Sequence, residues 1–99
     1  MTDQTRQLVA VVAGVAGVTF NTILSGKRTR PLPICRYLVT QELVRNGMST
    51  QAAGHELNID HATVLHGAFV IDRITEDNGY HDTDELFIKR EFRRLKDEL

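Results

Sequence analysis

Cysteine is almost missing from this sequence, and its apolar runs are short. The single cysteine, Cys35, excludes a disulfide within the chain, which is typical of proteins in a reducing compartment. The apolar run over residues 8–18 is shorter than the stretch of about 20 residues that spans a bilayer. Residues 1–4 lack the basic segment with which a signal peptide begins. We therefore expect a cytoplasmic protein that makes no membrane contact.

The sequence also lacks recognisable sets of catalytic or metal-binding residues. No two of the four histidines have the i, i+4 spacing that places two metal ligands on one helix face. These are His55, His61, His66 and His81. Residues 25–28 are similar to the end of a phosphate-binding loop, but Asn21 stands where its first glycine is required and no hydroxyl residue follows Lys27. Cys35 is expected to be a small buried side chain. We therefore expect no enzyme activity, no cofactor and no metal.

Charge is balanced over the chain but not along it. The formal net charge is −1, whereas residues 1–47 carry six Lys/Arg and two acids, and residues 48–99 carry six Lys/Arg and eleven acids. Residues 27–36 contain four cations and no acid. Because charges farther apart than about 10 Å are screened, this local cluster matters more than the total for attracting a polyanion. A solvated charge cluster is the simpler alternative.

Helical periodicity and capping residues predict one all-α domain, residues 1–99, with five or six helices. Asp3 is placed to cap the first helix, and Gly17 to end it in the left-handed conformation. The next two helices are predicted at residues 20–24, capped by Thr19, and at residues 33–46. Between these two helices, residues 25–31 form a basic loop.

Two further helices joined by Asn58-Ile59 make a helix-turn-helix pattern. The first is predicted over residues 51–57 after a cap at Ser49 or Thr50, and the second begins at the N-cap residue Asp60. A buried stripe is predicted along the second helix, formed by Val64, Ala68 and Ile71. In this motif, the first residues of the second helix reach base edges in the major groove.

The last helix is predicted to follow a turn at residues 77–79 and a capping box of Asp82 with Glu85. Its apolar stripe is expected to face the core. The stripe consists of Ile88, Phe92, Leu95 and Leu99.

Two segments carry groups that could bind DNA. Asp60 could accept from cytosine N4, His61 could pair with purine N7 or a phosphate, and Thr63 offers a hydroxyl and a methyl group. In the basic loop, Lys27, Arg28 and Arg30 could enter a minor groove or straddle phosphates. The simpler interpretation is that Asp60 serves only as a helix cap and His61 as a surface residue.

Residues 6–96 resemble the C-terminal DNA-binding domain of the bacterial replication initiator DnaA, a helix-turn-helix fold related to the Trp repressor. Asp60-His61-Ala62-Thr63-Val64-Leu65-His66-Gly67 is similar to the family signature D-H-T-T-V-L-H-A. Residues 23–30 are similar to the family's basic loop L-L-S-x-[RK]-R-x-R, and Cys35-Arg36 to its P-R. Gly54 falls at the family's glycine in the first helix of the motif.

The resemblance implies a role for each matched position in double-stranded DNA binding during replication or transcription regulation at the nucleoid. Asp60, His61 and Thr63 would face bases in the major groove, with Ala62 supplying a methyl group. Arg28 would enter the adjacent minor groove. Phosphates would be contacted by Lys27, Arg30, Arg36 and His66, with Thr50 and Gln51 close by.

Departures from the family pattern modify these expectations. Ala62 lacks the family's hydroxyl, and Asn58-Ile59 is one residue shorter than the family's Gly-Gly-Arg, which predicts a different or less stringent base sequence. Phe69 and Val70 replace cations, so we expect them to pack against the C-terminal helix or a second protomer. Nothing in this sequence corresponds to the family's ATPase module, so we expect no ATP binding.

The sequence leaves one alternative function open and suggests whether the chain is a whole protein. On the same scaffold, a protein-interaction module that binds another protein, such as the initiator itself, is the alternative function. Met1 makes a whole protein, rather than an excised domain, the expectation.

Overall fold

The computed structural model describes residues 1–75 and 83–99, and Thr83 through its backbone only. Over these residues the chain forms six α-helices and no strand, which confirms the prediction of an all-α fold. The helices are α1 (Asp3–Ala16), α2 (Phe20–Leu24), α3 (Leu32–Arg45), α4 (Thr50–Glu56), α5 (His61–Arg73) and α6 (Thr83–Lys96). The predicted turn at residues 77–79, His81 and the Asp82 cap lie outside the described residues. None of the described helices combines the length and apolarity needed to cross a membrane.

Most of the predicted helix ends are confirmed. Gly17 ends α1 with φ 71°, and Thr19 caps α2 by accepting the N–H of Thr22 at 3.1 Å. The predicted cap of α1 is wrong by one residue, because Thr2 Oγ1, rather than Asp3, accepts the N–H of Thr5. Ser49 is the residue that caps α4.

Helix α3 is the central helix, since buried residues lie all round it and α1, α4, α5 and α6 contact it. Leu38, Val39 and Leu43 are fully buried. Cys35 is also fully buried, as predicted, and burial raises the pKa of its thiol to about 11.

Helix α6 closes the core from the side of α1. Ile88 and Phe92 are buried and Leu95 is half-buried, but Leu99 is 60% exposed because it lies beyond the last helical residue. Leu99 therefore does not extend the buried stripe of α6. Lys89 Nζ donates to two carbonyl oxygens at the end of α5, those of Ile71 and Ile74, at 2.8 Å each.

The turn between α4 and α5 depends on a close approach at Gly54. Asn58 adopts φ 61°, which lets the N–H of Ile59 donate to the Gly54 carbonyl at 2.9 Å. A Cβ on Gly54 would collide with the carbonyl oxygen of Ile59. Only glycine fits at this position without displacing the turn.

The inner face of α5 follows the predicted stripe closely. Val64 and Ile71 are buried, whereas Ala68 is half-buried. Gly67 packs directly on the ring of Tyr37, since a Cβ on it would lie 2.5 Å from that ring. Helix α5 therefore lies unusually close to α3.

A pair of glycine substitutions tests the turn. Gly54→Ala should destabilise the fold by about 1–3 kcal/mol, because the new methyl group must displace the backbone of Ile59. The matched control is Gly14→Ala, in the exposed last turn of α1 with no atom near the new Cβ, which should stabilise by up to about 1 kcal/mol. Urea unfolding followed by circular dichroism measures both. Equal effects of the two substitutions would contradict the close approach.

Candidate functional site

A cleft of about 560 Å³ lies between the start of α5, the start of α3 and the basic loop. It brings together side chains that are up to 38 positions apart in the sequence, from residue 28 to residue 66. Six of the predicted site residues line it: Arg28, Arg36, Asp60, Ala62, Thr63 and His66.

Asp60 stands at the N-terminus of α5 with its carboxylate already engaged. Its Oδ1 accepts the N–H of Thr63 at 2.7 Å, which confirms the predicted helix cap. This hydrogen bond from the Thr63 backbone, together with one to the Thr63 side chain, holds the pKa of Asp60 below its ordinary value. The side chain is exposed, so the ionised carboxylate faces solvent at the edge of the cleft.

The other first-turn residues of α5 divide between two sides of the helix. Ala62 and Thr63 line the cleft, whereas His61 is exposed and is not among the cleft's lining residues. One turn later, His66 is exposed beside the ring of Tyr37, with the two rings edge to face and their centroids 6.4 Å apart. Base contacts by Asp60, His61 and Thr63 stay predictions.

Arg36 has a different position from the one expected of a phosphate ligand. It is only 6% exposed, and burial lowers the pKa of its guanidinium. Nε donates to the carbonyl of Ile23 at 2.6 Å, and Nη2 to that of Ser25 at 2.7 Å. Arg36 therefore ties the end of α2 and the start of the basic loop to α3, and we assign it this structural role.

The cations of the basic loop do not act as one cluster. Lys27 and Arg28 are exposed, and Arg28 lines the cleft. Arg30 lies elsewhere, 3.5 Å from the carboxylate of Glu85 at the start of α6. The sequence did not reveal this ion pair, because its partners are 55 positions apart.

The remaining predicted contacts lie outside the cleft. Thr50 and Gln51 are at the start of α4, where the Thr50 hydroxyl donates to the Gln51 side chain at 3.2 Å. Neither residue is among those that line the cleft.

An exposed apolar edge runs along α5. Phe69 is 59% exposed, with the Arg73 guanidinium 5.3 Å from the centre of its ring. This exposure excludes packing of Phe69 against the C-terminal helix, whereas its expected contact with a second protomer stays a prediction. Val70 is half-buried against the core. Leu65 is 57% exposed one turn before Phe69. Its position about 100° from Val64 around the helix already indicated this exposure.

No group of three or more potential ligands forms a metal site within the described part of the chain. Comparison of the chain with models of known families, with curated proteins and with solved structures gave no match. The geometry of the cleft and the residues that line it therefore carry the functional argument.

Two substitutions of Asp60 distinguish its cap from any other role. Asparagine caps helices as well as aspartate, so Asp60→Asn should leave the Tm nearly unchanged, whereas Asp60→Ala should lower it by about 4–8 °C. The carboxylate stabilises the fold at neutral pH, and this contribution is lost as the pH falls through its lowered pKa, below the ordinary 3.8. The difference between wild type and Asp60→Ala should shrink there. Thermal melts at several pH values measure it, and an unchanged Tm in Asp60→Ala would contradict the cap.

Proposed function

We propose that this protein binds double-stranded DNA, with the start of α5 in the major groove and the basic loop on the adjacent backbone or minor groove. The observation that carries the proposal is the cleft itself. It joins the capped first turn of a helix, which presents Asp60, Ala62 and Thr63, to the exposed guanidinium of Arg28. These are the two segments that resemble the DnaA DNA-binding domain.

The dimensions of α5 suit this role. Its 13 residues make a rod about 20 Å long, and a helix fits the major groove, which is about 12 Å wide. The helix is held by α4 on one side and by the contact of Gly67 with Tyr37 on the other, so its first turn is presented in one orientation. A rigidly held helix is what discrimination between bases requires.

The charged groups near the cleft favour a moderate affinity for DNA and one orientation of the helix on it. Lys27 and Arg28 are exposed, and His66 adds a donor on the same side of the molecule. Asp60 is negative and would repel phosphates, so it suits a position over base edges rather than beside the backbone. We infer a regulatory role in replication or transcription, by resemblance to the DnaA domain.

The affinity prediction concerns Arg28. Arg28→Ala should weaken binding to all duplexes by about 1–3 kcal/mol, because the guanidinium is lost from the side of the cleft that faces the backbone. Arg45→Ala is the matched control, since Arg45 is exposed at the C-terminal end of α3, away from the cleft at the start of that helix, and should be neutral. Fluorescence anisotropy with labelled duplex at several salt concentrations measures both. Binding that is absent, or that does not weaken with salt, would contradict the proposal.

The specificity prediction concerns His61. Selection of bound duplexes from a random pool should enrich one sequence with the wild type. His61→Ala should relax the preference at one or two positions while keeping overall affinity within about tenfold. Asp60→Asn, which keeps the cap, should change the base preferred at a neighbouring position. Identical enriched sequences for all three proteins would show that these side chains do not contact bases.

A second candidate function is favoured by the apolar edge of α5. Leu65 and Phe69 are more than half exposed one turn apart, which is typical of a protein contact rather than of a DNA contact. A protein-interaction module, for which the replication initiator is one partner to test, would use this edge. Phe69→Ser would then abolish the protein contact and leave the duplex titration unchanged.

A further inference from the structure

We infer that the face formed by α1 and α6 binds the same face of a second copy of this chain, with the two α6 helices antiparallel across a two-fold axis. This inference is independent of DNA binding, because none of the residues lining the groove on this face lines the cleft.

A groove of about 600 Å³ runs between the two helices, lined mainly by apolar side chains with Glu91 and Glu98 on its α6 side. On the α1 side it is lined by small exposed residues, Ala10 and Gly14, and a Cβ on Gly14 would meet nothing within 4 Å. On the α6 side, Phe87 is 56% exposed. The groove thus has open space beside Ala10 and Gly14 on α1 and a large exposed side chain, Phe87, on α6.

The groove and Phe87 are placed to fit each other across a two-fold axis. Val15 lies with Phe87 at the N-terminal end of α6, so α1 and α6 run antiparallel and Ala10 lies toward Leu95. A two-fold axis that passes between the two α6 helices, level with residues 92 and 93, brings Phe87 of one copy opposite Glu98 of the other, at the end of the groove. There it would meet the open end of the groove beside Ala10 and Leu95, and the reciprocal contact forms by symmetry.

The charges on α6 favour the antiparallel arrangement of the two helices over the parallel one. Glu91 and Arg94 are exchanged by the same axis, so Glu91 of each copy faces Arg94 of the other. In the described structure these two residues pair within one helix, with Arg94 Nη2 2.7 Å from the Glu91 carboxylate. A parallel arrangement would place Glu91 against Glu91 and Arg94 against Arg94, which is repulsive. A helix face with alternating charges is not complementary to a strongly basic or acidic partner, whereas it is complementary to a second copy of itself.

The size of the face sets the affinity. Helix α6 has 14 residues and is about 21 Å long, and two adjacent helices are about 20 Å wide. Such a face covers about 400 Å² per copy, roughly half of what each partner buries in a standard specific interface, so we expect a weak dimer that dissociates on dilution.

Sedimentation velocity of the full chain from about 1 to 500 µM tests the inference without DNA. The wild type should shift from monomer to dimer, and Phe87→Glu should raise the dissociation constant by about tenfold or more. Phe69→Glu is the matched control, since Phe69 has nearly the same exposure on α5, and it should dimerise like the wild type. Circular dichroism melts establish that each variant is folded.

A charge exchange between two variants tests the orientation. Glu91→Arg alone and Arg94→Glu alone should each fail to dimerise, because like charges then meet across the axis. An equimolar mixture of the two variants should form a heterodimer, since every cross-axis pair is again of opposite sign. Rescue by mixing cannot arise from changes within one helix.

Three results would overturn the inference. One is a wild type that remains monomeric at every concentration. Another is association beyond the dimer, since a two-fold interface closes at two copies. The third is loss of dimer in Phe69→Glu with Phe87→Glu unaffected, which would move the interface to the apolar edge of α5.

Discussion

The cleft depends on the contact between Gly67 of α5 and the ring of Tyr37 on α3. Because Gly67 has no side chain, only the Tyr37 side chain separates the two backbones at this point, and the first turn of α5 can stand over the start of α3. Any larger residue at position 67 would push α5 away, since a Cβ would already lie 2.5 Å from the ring. The orientation of the proposed DNA-binding helix is thus determined by a packing contact one to two turns away from its first-turn residues, Asp60 to Thr63.

Helix α3 also holds the other side of the cleft. Arg36 donates to the carbonyls of Ile23 and Ser25, which satisfies acceptors at the C-terminal end of α2 and fixes where the basic loop begins. A buried guanidinium is costly unless its donors are satisfied, and here backbone carbonyls satisfy them. Arg28 can therefore reach the cleft from a loop with a defined origin. One central helix positions both the helix and the loop on which the proposed function rests.

The surface carries three distinct features on this scaffold: the polar cleft, the apolar edge of α5 and the apolar groove of α1 and α6. They differ in chemistry, and the cleft and the groove share no lining residue. A near-zero net charge conceals this division, because the acids lie mainly in residues 48–99 and the exposed cations of the basic loop lie in residues 25–31. The proposed DNA contact and the proposed protein contact would therefore use separate surfaces.

What the sequence alone determined is local. The caps at Thr19 and Asp60, the left-handed Gly17 and the buried stripe of Val64 and Ile71 follow from interactions within about four residues, and all were predictable. The tertiary structure decided which charged and apolar side chains are buried, which are paired and which are exposed at the surface. It buried Arg36 on backbone carbonyls, paired Arg30 with Glu85 and left Phe69 exposed instead of packed on the C-terminal helix. Each of these outcomes depends on partners far away along the chain, whose approach is determined only when the helices pack.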